Sequence, residues 1–252
     1  MRWSPALRDL NWLIARPIAH RGLHDIEDGA VENTATAFDR AIAHGYPIEC
    51  DLQITSEGEA VVFHDNNLDR LTLGTGPVKA HSVSKLRRLA FKSGRDRIQT
   101  LGELLDHVAG KVPLIIEIKS QWDGDDSLAV RALETLVSYR GPHALMSFDP
   151  DIVTAVRRYS PQTVRGIVTD RTTDPFYGRL PFMRRMDLRY FTHIPRTNPH
   201  FISYRWMDLP FAPVSVFRMT GRPVISWTIR NPEAARRARR YSDQITFEEF
   251  RA

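Results

Sequence analysis

The sequence predicts an α/β fold closed as a (β/α)8 barrel, and three observations predict it. Short apolar runs alternate with helix-length amphipathic segments along the whole chain, the pattern of a parallel sheet with crossover helices. About eight such units fit into roughly 250 residues, the usual size of a closed barrel. The competing doubly wound sheet calls for a glycine-rich phosphate loop after its first strand, whereas the first strand here runs into His20-Arg21-Gly22.

The elements follow in order. The first strand is read at 17–20, and a helix at 34–44 is opened by Asn33 or Thr34 as cap and closed by Gly45. The second strand, 48–54, reads IECDLQI, and 61–64 returns as its hairpin extension. The stretch 65–100 is irregular, with GTGP and a short basic helix-like piece; a connection of that length in a compact domain is an insertion or is functional. Beyond it come a helix at 101–108 closed by Gly110, a third strand at 113–119 and a helix at 127–139. A strand at 144–148 leads to a helix at 150–159 with Pro150 in its first turn. Strands at 164–168, 201–204, 224–228 and 244–247 then alternate with helices at 176–189, 211–220 and 232–241, the last opened by Pro232. No linker rich in Pro, Gly or Ser divides the chain, so residues 1–252 are read as one domain.

Composition narrows the partners. A net charge of +5 suits an anionic small-molecule substrate or an anionic surface and does not call for nucleic acid. The run RNPEAARRARRY at 230–241 is read as the solvated face of a helix rather than a phosphate site. The single cysteine, Cys50, excludes an internal disulfide and fits a reducing compartment. No apolar run reaches the roughly 18 residues of a membrane span. The N-terminal MRWSPALRDLNWLIARP has no secretory core or cleavage site and reads as an amphipathic lead-in. The expectation is a cytoplasmic protein, a monomer or small homo-oligomer, with no transmembrane segment and with room for peripheral membrane contact.

The chemistry concentrates at strand ends, where barrels carry their sites. Strand side chains alternate, so Glu49 and Asp51 share one face and Cys50 takes the other, while Glu117 and Lys119 share a face of the third strand. With the third strand beside the second, three carboxylates converge. Such a group repels itself and needs a cation or protons, and oxygen-only ligands favour Mg²⁺ or Ca²⁺ over Zn²⁺. With His20, His64, Arg21 and Lys119 nearby, this is the inventory of phosphoester cleavage: cations offset charge on phosphate oxygens and histidines move protons.

The motifs AHRG at 19–22, ENT at 32–34, IECDLQIT at 48–55, VVFHDNNLDRLT at 61–72, IEIKS at 116–120, SFDP at 147–150 and SWTI at 226–229 occur together and in this order. On these the chain closely resembles the glycerophosphodiester phosphodiesterase family. The resemblance implies a TIM (β/α)8 barrel with a small insertion after the second strand, at about 65–100. It implies one divalent cation, Mg²⁺ or Ca²⁺, held by Glu49, Asp51 and Glu117. His20 and His64 would be the general acid/base pair, Arg21 and Lys119 the phosphate contacts, Trp227 a wall for the glycerol moiety, and Glu32 an acidic group nearby. The implied reaction is metal-dependent hydrolysis of glycerophosphodiesters to glycerol 3-phosphate and an alcohol.

One departure stands out. The last strand reads QITFEEF, with Phe247 where the family more often has Asp, which leaves the core chemistry intact and bears on the shape of the mouth. His24 is read as a solvent-exposed loop residue in preference to a substrate contact. A lysophospholipase D, with the same chemistry on a substrate that keeps one acyl chain, is the alternative; aromatic residues in DPFYGRLPFM and FISYRWMDLPF keep it open. A catalytically dead phosphate-binding protein would lack a metal carboxylate or a histidine, and none is missing.

Overall fold

The structure, a computed structural model, describes residues 9–173 and 175–252, with the backbone alone of Pro175 and Phe176. In chain order the elements are α1 (Asn11–Ile14), β1 (Ile18–Ala19), α2 (Ala35–Ala43), β2 (Ile48–Ile54), β3 (Ala60–Val62), α3 (Val83–Leu86), α4 (Leu101–Val108), β4 (Leu114–Ile118), α5 (Ser127–Leu136) and β5 (His143–Ser147). There follow α6 (Pro150–Tyr159), β6 (Val164–Thr169), α7 (Phe182–Tyr190), α8 (Ile194–Thr197), β7 (Phe201–Arg205), α9 (Ala212–Met219), β8 (Val224–Ile229), α10 (Pro232–Ala238) and β9 (Gln244–Phe247). Eight strands run parallel as β1-β2-β4-β5-β6-β7-β8-β9, and β9 pairs back onto β1, so the sheet closes into a barrel. β3 adds to β2 as an antiparallel hairpin partner, with Leu52 opposite Val62.

The alternation in β2 explains its two faces. Ile48, Cys50 and Leu52 join the layer between sheet and helices, with Phe38 and Ala41 of α2 and Leu101, Leu104 and Leu105 of α4. Burying a side chain of this size contributes about 1.5–3 kcal/mol. Inside the barrel, Ile18, Ile115, Ala144, Met146, Val168, Phe201 and Ile225 form a second core that also takes Leu13 of α1. Gly166 makes room for it: a Cβ there would stand 2.3 Å from the Phe201 ring.

The irregular stretch after β2 is ordered by a core of its own, built from Val61, Phe63, Leu68, Leu71, Val78, Leu86, Phe91 and Ile98. Its apolar residues have neither a helical nor a strand period because short turns deliver them singly. The helix expected at 176–189 is corrected to two pieces, a 3-10 turn over Pro175–Arg179 and α7 from Phe182. Pro181 separates them, since a proline inside a helix loses the backbone donor and clashes with the preceding turn. Two helices also end earlier than expected, at Leu136 and Ala238. Residues 1–8 of the amphipathic lead-in lie outside the described residues; Leu10, Trp12 and Leu13 of the remainder pack at the barrel interior. The arginine run on α10 is solvated: Ala234, Ala235 and Ala238 are buried, and Arg236 and Arg237 are exposed.

Candidate active site

The β2–β4 register sets Asp51 directly beside Glu117. Glu49, Asp51 and Glu117 are all buried, and one oxygen of each lies within 4.8 Å of the others. Two cations reach the group. Lys119 Nζ is 2.7 Å from Asp51 Oδ1 and also contacts Glu117, while Arg21 Nε lies 3.3 Å from Asp51 Oδ2 without hydrogen-bond alignment. Burial pushes the Asp51 carboxyl up, but Lys119, His64 and Arg21 outweigh it and hold Asp51 far below the usual carboxylate range. Glu49 goes the other way. Burial, and then the charges of Asp51 and Glu117, push its pKa well above the ordinary value. Three buried carboxylates facing two cations thus leave Glu49 holding either a proton or a further cation.

A tight turn after β1 delivers Arg21. Arg21 and Gly22 both take left-handed backbone, at φ 54° and 80°, and a Cβ on Gly22 would stand 2.9 Å from the Ala37 carbonyl carbon. That explains the glycine in AHRG. The turn aims the Arg21 backbone N–H at Glu49 Oε2, 3.0 Å away, and the guanidinium at Glu32, 2.7 Å away. Asn33 Nδ2 donates to Asp51 Oδ2 at 2.8 Å and fixes the carboxylate from the other side. Thr34 is the N-cap of α2, yet its hydroxyl donates to Val31 O rather than capping the helix.

Each histidine is steered by a carboxylate. His20 Nδ1 is hydrogen-bonded to Glu248, and its Nε2 lies 3.9 Å from Glu49 Oε2. Burial lowers the His20 pKa to about 4 despite that bond, so the ring is neutral near pH 7. Glu248 is raised by burial but brought well below the carboxylate range by His20, His24 and Arg230, which meets its other oxygen at 2.7 Å. His64 Nδ1 pairs with Asp65 Oδ1 at 2.7 Å. Arg70 then binds Asp65 through Nε at 2.6 Å and Glu32 through both terminal nitrogens, at 2.8 and 2.7 Å. Glu32 therefore joins Arg21 to Arg70, and through Asp65 to His64. His24 is 18% exposed with Nε2 3.5 Å from Glu248, which corrects its reading as a solvent-exposed loop residue.

His64, Glu117 and Lys119 open onto a cavity of 440 Å³ whose walls include Trp122, Phe148 and Trp227. Trp227 meets Phe148 edge-to-face at 5.5 Å between ring centroids. It sits where the β8–β9 register slips between Ser226 and Ile229, a distortion of the kind that re-aims side chains. Its indole Nε1 is buried with no hydrogen-bond partner.

A sequence model of the glycerophosphoryl diester phosphodiesterase family matches residues 20–244. The chain belongs to this family. A Bacillus subtilis relative, YhdW, provisionally assigned by its name to the glycerophosphodiester phosphodiesterases, is 27% identical over 86% of this chain and 87% of its own length. A glycerophosphodiester phosphodiesterase of Thermotoga maritima is similar in structure, with a TM-score of 0.71, 25% identity and coverage of 92% and 93% of the two chains. An Oleispira antarctica phosphodiesterase in complex with the product sn-glycerol-3-phosphate shares the fold, with a TM-score of 0.76 and 20% identity over 92% of each chain. The chain is a phosphoric diester hydrolase, a glycerophosphodiester phosphodiesterase. Among the described residues no helix is long and apolar enough to cross a membrane.

In this phosphodiesterase the structure brings together the residues expected from sequence: His20, Arg21, Glu49, Asp51, Glu117 and Lys119 in one contact network, with His64, Glu117, Lys119 and Trp227 lining the cavity. Sequence reasoning missed the residues that orient them. Asp65 and Arg70 lie within VVFHDNNLDRLT and Asn33 within ENT, so the motifs carried them without revealing their contacts. Glu248 follows Phe247, which packs edge-to-face on Tyr46 at 4.9 Å and on Phe250 at 5.5 Å. Strand alternation is the signal that was available: an outward Phe247 turns the next residue toward the mouth.

Proposed function

We propose that this phosphodiesterase hydrolyses glycerophosphodiesters to glycerol 3-phosphate and an alcohol, with one divalent cation and two histidines that divide the proton transfers. The observation that carries the reading is that each histidine engages its own carboxylate through Nδ1, beside the same carboxylate triad. Bound glycerol 3-phosphate in the Oleispira antarctica neighbour supports that product. We read the chain as one domain working in the cytoplasm, in line with its single buried cysteine.

Three oxygen donors and a Glu49 charge left uncompensated fit a hard ion, Mg²⁺ or Ca²⁺, at Glu49, Asp51 and Glu117. When bound, the ion offsets charge on the non-bridging phosphate oxygens. Arg21 and Lys119 add fixed positive charge at the same oxygens. Donation of the His20 Nδ1 proton to Glu248 leaves Nε2 as an acceptor on the side of Glu49, suited to take the proton of the glycerol 2-hydroxyl as that oxygen attacks phosphorus. His64, steered by Asp65 and lining the cavity, gives its proton to the departing alcohol oxygen. Opening of the cyclic phosphate reverses the roles: His64 takes a proton from water and His20 returns one to the 2-hydroxyl. Trp227 offers its ring as a wall for glycerol and its buried, unpartnered N–H to a substrate oxygen.

Lysophospholipase D activity stands second, supported by the exposed apolar side chains of Phe182 and Met183 on the segment that also supplies the cavity wall. The test is glycerol 3-phosphate release from a panel of glycerophosphodiesters, and lysophosphatidate release from lysophospholipids. Both are measured in metal-free protein with chelator and after Mg²⁺ or Ca²⁺ is restored. Activity only with an ion, and greater on glycerophosphodiesters, is expected; full activity in excess chelator contradicts the metal reading.

A further inference from the structure

The segment after β6 carries a surface that the reaction leaves unused. Its inner face is fixed. Leu188 packs with Tyr177, Leu180 and Trp122, Arg184 binds Asp149 at 2.8 Å and Asp151 at 2.5 Å, and Asp187 receives Arg196 at 2.9 Å. Helical periodicity puts Phe182, Met183, Met186 and Tyr190 of α7 on the opposite face. Phe182, Met183 and Tyr190 are 63%, 74% and 48% exposed. Arg185 and Arg189 edge this stripe, with guanidinium carbons 6.0 Å from the Phe182 ring and 5.7 Å from the Tyr190 ring. Among the described residues neither has a carboxylate partner, and the Nε of each is buried without a hydrogen bond. The turn that leads into α7 contributes Tyr177 and Arg179 to the catalytic cavity.

We propose that α7 docks this end of the barrel onto an anionic lipid surface, with Phe182, Met183 and Tyr190 entering the headgroup boundary and Arg185 and Arg189 meeting lipid phosphates. The sign of the uncompensated charge selects anionic lipid. The size of the patch argues against a second copy. A nine-residue helix, about 13 Å long and about 10 Å across, presents a face on the order of 130 Å², far less than the ~800 Å² per partner of a stable protein interface. An interfacial helix needs only a few apolar side chains backed by basic ones. Docking would hold the cavity mouth near the membrane from which glycerophosphodiesters or lysophospholipids arise, and that consequence rests on the phosphodiesterase reading above.

The experiment is co-sedimentation with phosphatidylglycerol–phosphatidylcholine vesicles and with pure phosphatidylcholine vesicles, at about 0.15 M salt. The wild-type chain is expected to pellet with the anionic vesicles and not with the neutral ones. At about fivefold in partitioning per basic residue near a charged surface, Arg185→Glu/Arg189→Glu should lower binding by at least about 25-fold. Phe182→Ser/Met183→Ser should lower it by at least about tenfold. Turnover of soluble glycerophosphocholine without vesicles should stay within about twofold of wild type in both variants. Absence of that turnover in the wild-type chain would count against the phosphodiesterase reading and leave the binding result standing. The docking proposal is overturned by a wild-type chain that does not pellet, by equal pelleting with both vesicle types, or by variants that pellet like wild type. A dimer abolished by Phe182→Ser/Met183→Ser would overturn it in favour of a second copy.

Discussion

Glu248→Ala tests how the site holds its histidine. The Glu248 carboxylate is buried, accepts from His20 Nδ1, and is itself pinned by Arg230 through its second oxygen at 2.7 Å. A hydrogen bond to a charged group contributes about 1.5–3 kcal/mol, and the Arg230 contact means that little of this is spent on ordering Glu248. Removal frees the ring to rotate and to move its proton to Nε2, the nitrogen that has to accept. At 1.36 kcal/mol per decade, kcat/KM for glycerophosphocholine should fall about 10–100-fold, mostly in kcat. Glu248→Gln keeps an acceptor without the charge and should lose about 3–10-fold. Stability should also fall, by about 1–3 kcal/mol, because the largely buried His20 Nδ1 loses its acceptor, whereas the abandoned Arg230 is half exposed and free to hydrate. The assay is steady-state release of glycerol 3-phosphate, with urea unfolding as control. A folded Glu248→Ala within about twofold of wild type would refute the role assigned to this carboxylate.

Two further outcomes concern packing and pH. Cys50→Ala should cost about 1 kcal/mol in urea unfolding through lost packing beneath the helices and leave kcat unchanged, because Cys50 lies on the opposite face from Glu49 and Asp51; loss of turnover in the folded variant would overturn that register. Burial lowers the His193 pKa from 6.5 to about 4, so the unfolded chain takes its proton first: stability from this group is intact above pH 6.5 and declines as pH falls toward 4. The wild-type loss between pH 7 and about 4.5 should exceed that of His193→Gln by about 2–3 kcal/mol, and equal losses would contradict it.

Much of the barrel was legible because a strand in a closed parallel sheet is buried on both faces. Residues 48–54, 101–108, 150–159 and 244–247 coincide with β2, α4, α6 and β9 for that reason and because caps or prolines mark the helix starts. The insertion was not, because its core of single apolar residues on short turns has no period to read. Pro181 was a boundary signal that the surrounding apolar residues obscured. In the site, groups that face the centre from strand ends could be inferred from alternation and motif. Their partners could not, because Glu248 meets His20 across 228 positions of sequence, and only closure of β9 onto β1 brings them together.

The division of labour between the two histidines is the central claim, and the leaving group tests it most directly. Choline departs as a poorly stabilised alkoxide unless protonated, whereas p-nitrophenolate leaves without help, and a positioned acid is worth about 10²–10⁴-fold for the former. The measurement is kcat/KM of His20→Ala and His64→Ala on glycerophosphocholine and on the glycerophospho-p-nitrophenyl ester. His20→Ala should lose activity on both substrates by a similar factor, and His64→Ala should lose far more on the choline ester than on the aryl ester. If each variant loses the same factor on both substrates, the acid assigned to His64 is not there and the account fails.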